Sequence, residues 1–564
     1  MDYDLKIVDG VIVDGLGNPR YRGDVAVRNG VVAALGKVGG SARQTIRAEG
    51  CVIAPGFIDI HTHYDAQVFW DRMLSISPWH GVTTAIMGNC GFGIAPTRPQ
   101  HRELVIQSLE RVEGMDAASL RAGLGDPWQF ETFADYMSAI ERRGVAVNVA
   151  VLAGHTPTRF YVMGEAAIER AANGDEIEGM RAVLRDALKA GAIGFATSFG
   201  EVHVGYGGRP VASRYADYTE LEALTGVLAE FPDAVFSPNA GDKLDVGRLT
   251  EIARSTGANV IWNPLVSDLV THVGNHRDEL AQSAAAMANG QTVVPQISAR
   301  PMVFEYQWRA PLQFEGLRAF RSAAVATEPD RLRAFADPAF RTMLREDVDA
   351  KPELFQRSVA HTTVHETGDA ALDGKTLGEL AASRGIKPVE MALDIALRTK
   401  LDARFRMPLG NYREEEMRHL LTHPNTVIGL SDAGAHASQL CDACFPTYIL
   451  AHWVRDKRVI ELERAVQMLT SRPADLHHLK GRGRLAVGAA ADIVIFNPDT
   501  VTHGPMRRVW DLPANGNRLV VDAVGIEAVM VNGTVIRQRG ADTLDLKGEL
   551  PGKLIRRGRS VVSG

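Results

Sequence analysis

The chain has 564 residues, of which 45% are hydrophobic and 23% charged, and its formal net charge is -6. This balance is typical of a globular protein and offers no basic surface for nucleic acid or an anionic membrane, so we expect a small-molecule partner. No apolar run reaches the ~20 residues that a membrane span requires, and four cysteines are too few for a disulfide framework in a chain of this length. The acidic N-terminus is unlike a signal peptide. Together these features predict a cytoplasmic protein.

The two ends of the chain predict one small β domain. Asn29 and Asn532 each precede a glycine and lie between two short apolar runs. Asn-Gly in that setting is a strong signal for a two-residue hairpin. We expect residues 1–57 and 482–546 to form a composite β-sandwich domain, and residues 547–564 to form a C-terminal arm.

A predicted strand over residues 53–60 ends in a His-x-His pattern, His61 and His63. Residues i and i+2 of a strand share a face, so the two imidazoles point into one space. Imidazoles that converge at the C-terminal end of a strand are well placed to bind a metal ion. The alternative is a pair of partly exposed histidines near a surface turn.

A second short strand, residues 83–87, is followed by Cys90 between glycines. Glycines allow the backbone to approach a ligand closely, and a thiolate is a strong zinc ligand. The alternative is a small residue in a tight turn.

Short apolar strands then alternate with amphipathic helices. The predicted strands cover residues 145–152, 192–197, 234–237, 259–262, 292–296 and 427–431. Amphipathic runs over 176–190 and 245–256 lie between them. This alternation predicts a parallel sheet, and its length suits a (β/α)8 TIM barrel over residues 58–481. A charged region without period-2 pattern predicts a helical insertion near 305–360.

The last of these strands ends in Asp432. A carboxylate at a strand end can complete a metal shell and accept a proton from water. The alternative is that Asp432 caps a following helix, as Asp often does.

These motifs, in this order, resemble the D-aminoacylase (N-acyl-D-amino-acid deacylase) branch of the amidohydrolase superfamily. The residues that carry the resemblance are PGFIDIHTH (55–63), GNCGF (88–92) with 95–96, GLSDAGAH (429–436), 469–470 with 473–474, GAAAD (488–492) and VNG (531–533). The resemblance covers nearly the whole chain. It implies a barrel beside a composite β-sandwich, and zinc held by His61, His63 and Cys90, with Asp432 as ligand and general base.

The sequence departs from the branch at two positions. In the characterised deacylases the tightest zinc also takes histidines from the ends of the fifth and sixth barrel strands, where this chain has Asn239 and Asn263. Either asparagine could contribute a weak oxygen ligand, but neutral amides are poor zinc ligands beside imidazole, so we expect one zinc ion (Zn²⁺) rather than two. His203 and His155, at the ends of neighbouring strands, are candidates for a further ligand or an oxyanion group; a surface or supporting position is the alternative.

Two residues are candidates for substrate binding. Gln296 ends the predicted strand 292–296 and Arg300 follows it, and an arginine can pair a substrate carboxylate in bidentate fashion. The alternative for Arg300 is that it pins the loop and the insertion after it.

We therefore expect a zinc-dependent hydrolase that cleaves an amide carbon–nitrogen bond with metal-activated water, as an N-acyl (D-)amino acid deacylase. A hydrolase of a different linear or cyclic amide or amidine is one alternative. A catalytically inactive binding or scaffold protein on the same fold is another. Homo-oligomerisation is left open.

Overall fold

The computed structural model describes residues 1–126, 128–205, 209–241, 243–269, 275–311, 313–321, 325 and 327–559. It divides into two compact units. The larger contains residues 1–265, 277–299 and 418–564, and the smaller contains residues 266–276 and 300–417. Within the described ranges, no helix combines the length and apolar character that a membrane span requires.

The strands and helices are numbered in chain order. The strands are β1 Tyr3–Ile12, β2 Tyr21–Arg28, β3 Val31–Gly36, β4 Ala42–Arg47, β5 Val52–Pro55, β6 Phe57–Asp59, β7 Val82–Met87, β8 Asn148–Gly154, β9 Gly194–Ser198, β10 Val235–Asn239, β11 Asn259–Trp262, β12 Val293–Ile297, β13 Met302–Tyr306, β14 Thr363–His365, β15 Arg404–Gly410, β16 Val427–Ile428, β17 Ile493–Phe496, β18 Thr502–Leu512, β19 Gly516–Val524, β20 Ile526–Val531, β21 Thr534–Gln538, β22 Ala541–Asp542 and β23 Leu554–Ile555. The helices are α1 Arg102–Val112, α2 Ala117–Leu124, α3 Phe133–Arg143, α4 His155–Met163, α5 Gly174–Ala190, α6 Tyr218–Gly226, α7 Val246–Thr256, α8 His276–Ala288, α9 Glu328–Ala336, α10 Pro338–Asp349, α11 Glu353–His361, α12 Leu377–Ala382, α13 Pro388–Arg398, α14 Glu414–Thr422, α15 Phe445–Tyr448, α16 Leu462–Leu469 and α17 Ser471–Leu476.

Eight parallel strands of the larger unit form the barrel, in the order β6–β7–β8–β9–β10–β11–β12–β16. Nearly every residue of these strands is buried, as expected when helices cover a parallel sheet. The ring of strands closes just beyond β6 and β16. There Thr62 and Ala433 form an isolated parallel β-bridge, and the His63 N–H donates to the Ala433 carbonyl at 2.8 Å. The prediction of a (β/α)8 TIM barrel is confirmed, and the carboxyl ends of its strands form one mouth.

A second sheet of the larger unit takes strands from both ends of the chain. Its order is β22–β21–β20–β17–β5–β1–β2–β3, with β4 beside β1. The two ends meet where β5 pairs antiparallel with β17, and Ile53 lies opposite Ile495. Both predicted hairpins form, and Asn29 (φ 51°) and Asn532 (φ 46°) take the left-handed conformation that such turns need. The additional sheet domain is confirmed, and its exact boundaries stay a prediction.

The C-terminal segment differs from the expected arm. Strand β23 pairs parallel with β8, Leu554 lying opposite Val149, and the Gly552 N–H donates to the Val145 carbonyl at 2.9 Å. Two apolar residues among many charges are too weak a pattern to predict a strand, so the sequence alone gave no indication of this pairing.

The smaller unit has its own sheet and core. Strands β13, β15 and β14 form an antiparallel sheet, and helices α9 to α13 belong to the same unit. Trp308, Phe314, Phe335 and Phe405 are buried in its core. The insertion predicted near 305–360 is helical in part but larger than expected, because its strands β13 and β15 pair over about a hundred residues of sequence, which local patterns do not reveal.

Candidate metal centre

His61 and His63 follow β6 at the mouth of the barrel, and both are buried. His61 Nδ1 lies 2.8 Å from Gln296 Oε1, so its N–H donates to that amide oxygen. His63 Nδ1 lies 3.4 Å from Glu113 Oε1. These partners of the two Nδ1 atoms fix the orientation of the imidazole rings and leave each Nε2 for a ligand, as is common for metal-binding histidines.

Cys90 is held near these rings by an unusual backbone turn after β7. Gly88 (φ 85°) and Cys90 (φ 54°) both adopt the left-handed conformation. A Cβ on Gly88 would lie 2.3 Å from the Leu152 carbonyl oxygen, and the Gly88 N–H donates to Asp65 Oδ2 at 3.1 Å. A left-handed cysteine is strained, and such strain is typical of functional sites. The turn places Cys90 Sγ 3.5 Å from His61 Nε2.

Three potential ligands therefore converge. One ligand atom each from His61, His63 and Cys90 lies within 4.8 Å of the others, and all three residues are buried. Imidazole nitrogen and thiolate sulfur are the donors that zinc prefers.

Asp432 adds an oxygen to this group. Its Oδ1 lies 3.2 Å from His61 Nε2 and 3.7 Å from His63 Nε2. The described residues 433–440 form no helix, and α15 begins only at Phe445, so the helix-cap alternative is wrong. The Ser431 hydroxyl donates to the His61 carbonyl at 2.8 Å and ties the two strand ends together.

The charge states of these groups are shifted by burial and by each other. Burial, together with the Glu113 and Asp432 carboxylates, raises the pKa of the Cys90 thiol. Burial opposes ionisation of Asp432, but hydrogen bonds to His61 and His63 outweigh it and hold its pKa well below the ordinary value. Burial lowers the pKa of His63 to about 4, so this imidazole is neutral. A bound cation would reverse the effect on Cys90, because metal ligands must be deprotonated.

Asn239 and Asn263 lie at the ends of β10 and β11, beside Cys90. Asn239 Nδ2 donates to Asn263 Oδ1 at 2.8 Å, and the same nitrogen lies 3.9 Å from Cys90 Sγ. Asn263 Nδ2 donates to the Pro238 carbonyl at 3.3 Å. The two amides are thus bonded to each other at the strand ends where the related deacylases are expected to carry histidines.

His155 is not available as a metal ligand, so that candidate role is wrong. Its Nδ1 lies 2.7 Å from Thr197 Oγ1 and its Nε2 lies 2.7 Å from Glu220 Oε1. Glu220 also pairs with the buried Arg159. Both ring nitrogens are therefore used inside the protein.

His203 stays a candidate. Its Nδ1 lies 2.5 Å from Ser198 Oγ, and its ring meets Phe92 edge-on at 5.1 Å. Burial and the nearby His436 and His63 lower the pKa of His203 to about 3, which keeps it neutral beside the centre. Its role as a ligand or oxyanion group stays a prediction.

Gln296 contacts the centre through His61, which differs from the substrate-binding role expected for it. Its Oε1 bonds His61 Nδ1 and its Nε2 donates to the Ile261 carbonyl at 3.3 Å, so both ends of the amide have protein partners. Gln296 is therefore a positioning residue. Arg300 belongs to the smaller unit, and its substrate contact stays a prediction.

Sequence reasoning missed Glu113 and Asp65. Glu113 immediately follows α1 and its carboxyl group is buried, and burial with the Asp432 and Asp65 charges raises its pKa well above the ordinary value. Asp65 is buried and fixes the Cys90 turn through Gly88. No spacing rule links Glu113 to a histidine fifty residues earlier, whereas Asp65 lies just after the His-x-His pattern and could have been noted there.

A comparison with protein families shows which family the chain belongs to. The model of the amidohydrolase family matches residues 44–236 and 317–537, more than half of the chain. The chain belongs to the amidohydrolase family. This amidohydrolase is 30% identical over 568 residues to N-acyl-D-glutamate deacylase from Alcaligenes xylosoxydans xylosoxydans, an alignment that covers 99% of this chain and 98% of that one.

Solved structures agree with this assignment. N-acyl-D-glutamate deacylase from Bordetella bronchiseptica, in complex with zinc and a phosphonate mimic of the tetrahedral intermediate, matches with a TM-score of 0.65 and 27% identity, over 99% of this chain and 100% of that one. A D-aminoacylase with a binuclear metal centre, studied for one-metal activation and second-metal attenuation, matches with a TM-score of 0.66 and 25% identity, over 98% and 100% of the two chains. The resemblance to the D-aminoacylase branch is confirmed. This amidohydrolase is a metal-dependent hydrolase of amide carbon–nitrogen bonds, and the inactive-scaffold alternative is set aside.

Proposed function

We propose that this amidohydrolase is a zinc-dependent N-acyl-D-amino-acid deacylase that works with one metal ion, held by His61, His63, Cys90 and Asp432. The observation that carries the proposal is the buried convergence of His61, His63 and Cys90 ligand atoms within 4.8 Å, with Asp432 Oδ1 beside both imidazoles. The donor set of two nitrogens, one sulfur and one oxygen suits zinc. The similarity to deacylases of N-acyl-D-glutamate and related compounds supports the substrate class.

The residues around Cys90 support a centre with one metal ion rather than two. A second ion on the far side of the thiolate would need further strong donors, and the amides of Asn239 and Asn263 are bonded to each other there. Neutral amide oxygens are weak zinc ligands beside imidazole.

Zinc bound at this centre would lower the pKa of water and polarise the amide carbonyl. Asp432, whose low pKa keeps it ionised, accepts the proton of the attacking water and returns it to the leaving nitrogen. Gln296 and Glu113 hold the two imidazoles in place during this exchange. His203, whose Nδ1 is bonded to Ser198, is the candidate donor to the developing oxyanion.

The test is a substrate screen on zinc-loaded protein. N-acetyl-D-amino acids, their L enantiomers and a panel of cyclic amides and amidines are compared by release of free amine or by ring opening. We expect hydrolysis of the D compounds at least ~10-fold faster than of their enantiomers, and no hydrolysis by the His61→Ala/His63→Ala variant. Hydrolysis of cyclic amides or amidines alone would make the deacylase proposal wrong and favour the second candidate.

A further inference from the structure

A cavity of about 300 Å³ opens beside His63, one of the proposed metal ligands. This volume is at the lower end of the roughly 300–1,000 Å³ of small-molecule sites. Trp70, Met115, Leu120 and Leu512 form the apolar part of its wall. A substituent of a substrate whose amide lies at the proposed centre can therefore enter a largely apolar cavity.

The charged side chains on the described wall of this cavity are acidic. Apart from His63, the ionisable residues among those that line the cavity are Glu110 and Asp116. Both are exposed, so their carboxylates lie toward solvent. Neither a lysine nor an arginine is among the described residues that line the cavity.

Two arginines near the cavity, Arg121 and Arg508, have partners within the protein. Arg121, on α2, pairs with Glu103 of α1. Arg508 donates to the Ser438 carbonyl at 2.9 Å and to the Asn517 side chain, and so joins two wall residues to each other. An anionic substituent in the cavity would meet two carboxylates without a free cation on the wall to pair with it.

The wall has a preset shape. Trp70 packs closely on Gly123 of α2, where an added Cβ would lie 2.1 Å from the indole ring. The Ser119 hydroxyl of the same helix donates to the Pro513 carbonyl at 2.8 Å, which fixes α2 against the turn between β18 and β19. Preformed walls lower the entropic cost of binding.

We infer that this cavity binds a cationic group of the substrate, an ammonium or guanidinium at the end of an aliphatic chain. The aliphatic part contacts Met115, Leu120 and Leu512, and the cation lies near Glu110 and Asp116. The inference rests on the proposed function, because it places the scissile amide at His61 and His63. It distinguishes this chain from a relative named for an acidic substrate, N-acyl-D-glutamate.

The experiment compares pairs of substrates in which one member carries a terminal ammonium group and the other lacks it. N-acetyl-D-lysine is compared with N-acetyl-D-norleucine, which has the same carbon chain without the ammonium group, and with N-acetyl-D-glutamate. A second pair carries the charge on the acyl side: 6-aminohexanoyl-D-alanine and hexanoyl-D-alanine. Wild type, Glu110→Gln/Asp116→Asn and the exposed control Glu222→Gln are assayed for kcat/KM. Asn retains the helix-capping ability of Asp116, which accepts from the Ser119 N–H.

We expect kcat/KM for one cationic substrate to exceed that of its neutral partner by about 10-fold, and less so at high salt. The double variant removes this preference and Glu222→Gln keeps it. The pair that shows the preference identifies which side of the amide enters the cavity. Equal rates for charged and neutral partners, a preference for N-acetyl-D-glutamate, or a cation preference that survives in the double variant would overturn the inference.

A binding measurement tests this inference separately from the proposed function. If no amide is hydrolysed, the deacylase proposal fails, and titration calorimetry with both pairs of compounds still decides the inference. Tighter binding of the cation to wild type, abolished in Glu110→Gln/Asp116→Asn, supports the cavity assignment. Equal binding within both pairs contradicts it. Circular dichroism and Tm of the variants check that the fold is retained.

Discussion

Asn239 Nδ2 donates to Asn263 Oδ1 across the ends of two adjacent barrel strands, at 2.8 Å, with Cys90 Sγ 3.9 Å from the same nitrogen. This amide pair lies where the resemblance to the deacylases predicts two histidines, which would add zinc ligands beside the thiolate. If its presence limits the centre to one ion, replacing both residues should change the metal count.

We predict that Asn239→His/Asn263→His raises bound zinc from about one to about two ions per chain, since imidazole is a far stronger ligand than an amide. Elemental analysis after zinc loading and gel filtration measures this. The matched variant Asn239→Ala/Asn263→Ala should stay at about one. An unchanged count in the histidine variant would mean that the amides are not what limits the centre.

Asp432→Asn should lower turnover by roughly 10²–10⁴-fold, because the proposed proton carrier is lost while the shape is kept. The Tm should change little, since Asp432 caps no helix among the described residues. Steady-state kinetics on the best substrate of the screen, with zinc in excess, gives the turnover. Retention of more than half of the wild-type kcat would contradict the assignment of Asp432 as the base.

Gln296→Leu should weaken zinc binding by about 10–100-fold, the usual effect of removing the partner of a metal-binding histidine. The variant leaves His61 Nδ1 without its acceptor at 2.8 Å. Chelator competition measures the zinc Kd, and Gln44→Leu, on the exposed strand β4, is the matched control. Equal affinities of the two variants would show that Gln296 does not support the centre.

The buried Glu220 should make stability depend on acid pH. Burial disfavours its carboxylate, but His155 and Arg159 outweigh burial and lower the pKa of Glu220 to about 2, against 4.5 for an ordinary glutamate. The unfolded chain is therefore protonated first on acidification, and the stability contributed by Glu220 is lost as the pH falls from about 4.5 to about 2. Glu220→Gln should lose about 3–5 kcal/mol at pH 7 and show a flatter Tm between pH 5 and pH 3.

Glu222→Gln, in the same helix α6 but exposed, serves as the control and should follow wild type. Parallel Tm curves for Glu220→Gln and wild type across this pH range would contradict a depressed pKa for Glu220.

The sequence predicted much of the barrel because its strands are short, apolar and regularly spaced. The strand expected at 259–262 is β11 itself, and most others shift by a few residues at most. The strand expected over 53–60 divides into β5 and β6, which belong to different sheets, and the last strand shortens to Val427–Ile428. The sheet of the smaller unit was missed because β13 and β15 pair over a long separation, which no local pattern reports. The pairing of β23 with β8 was missed for a similar reason.

The candidate metal ligands could be predicted from the sequence, but the side chains that hydrogen-bond to them could not. His61, His63, Cys90 and Asp432 each follow the end of a barrel strand within a few residues, and the carboxyl ends of barrel strands meet at one mouth. Gln296 and His155 were placed correctly at that mouth, but hydrogen bonds to His61 and to Glu220 decide what they do. Such side-chain partners depend on packing between distant segments, as Glu113 does with His63, and sequence spacing does not encode them.

One zinc ion, held by His61, His63, Cys90 and Asp432, is proposed to make this chain a deacylase. The most direct test is to titrate zinc into metal-free protein and follow hydrolysis of an N-acyl-D-amino acid together with bound metal. We expect activity to appear with zinc and to saturate at about one ion per chain, and we expect Cys90→Ala to bind less than one ion. Full activity without metal, or activity that requires two ions, would contradict this proposal.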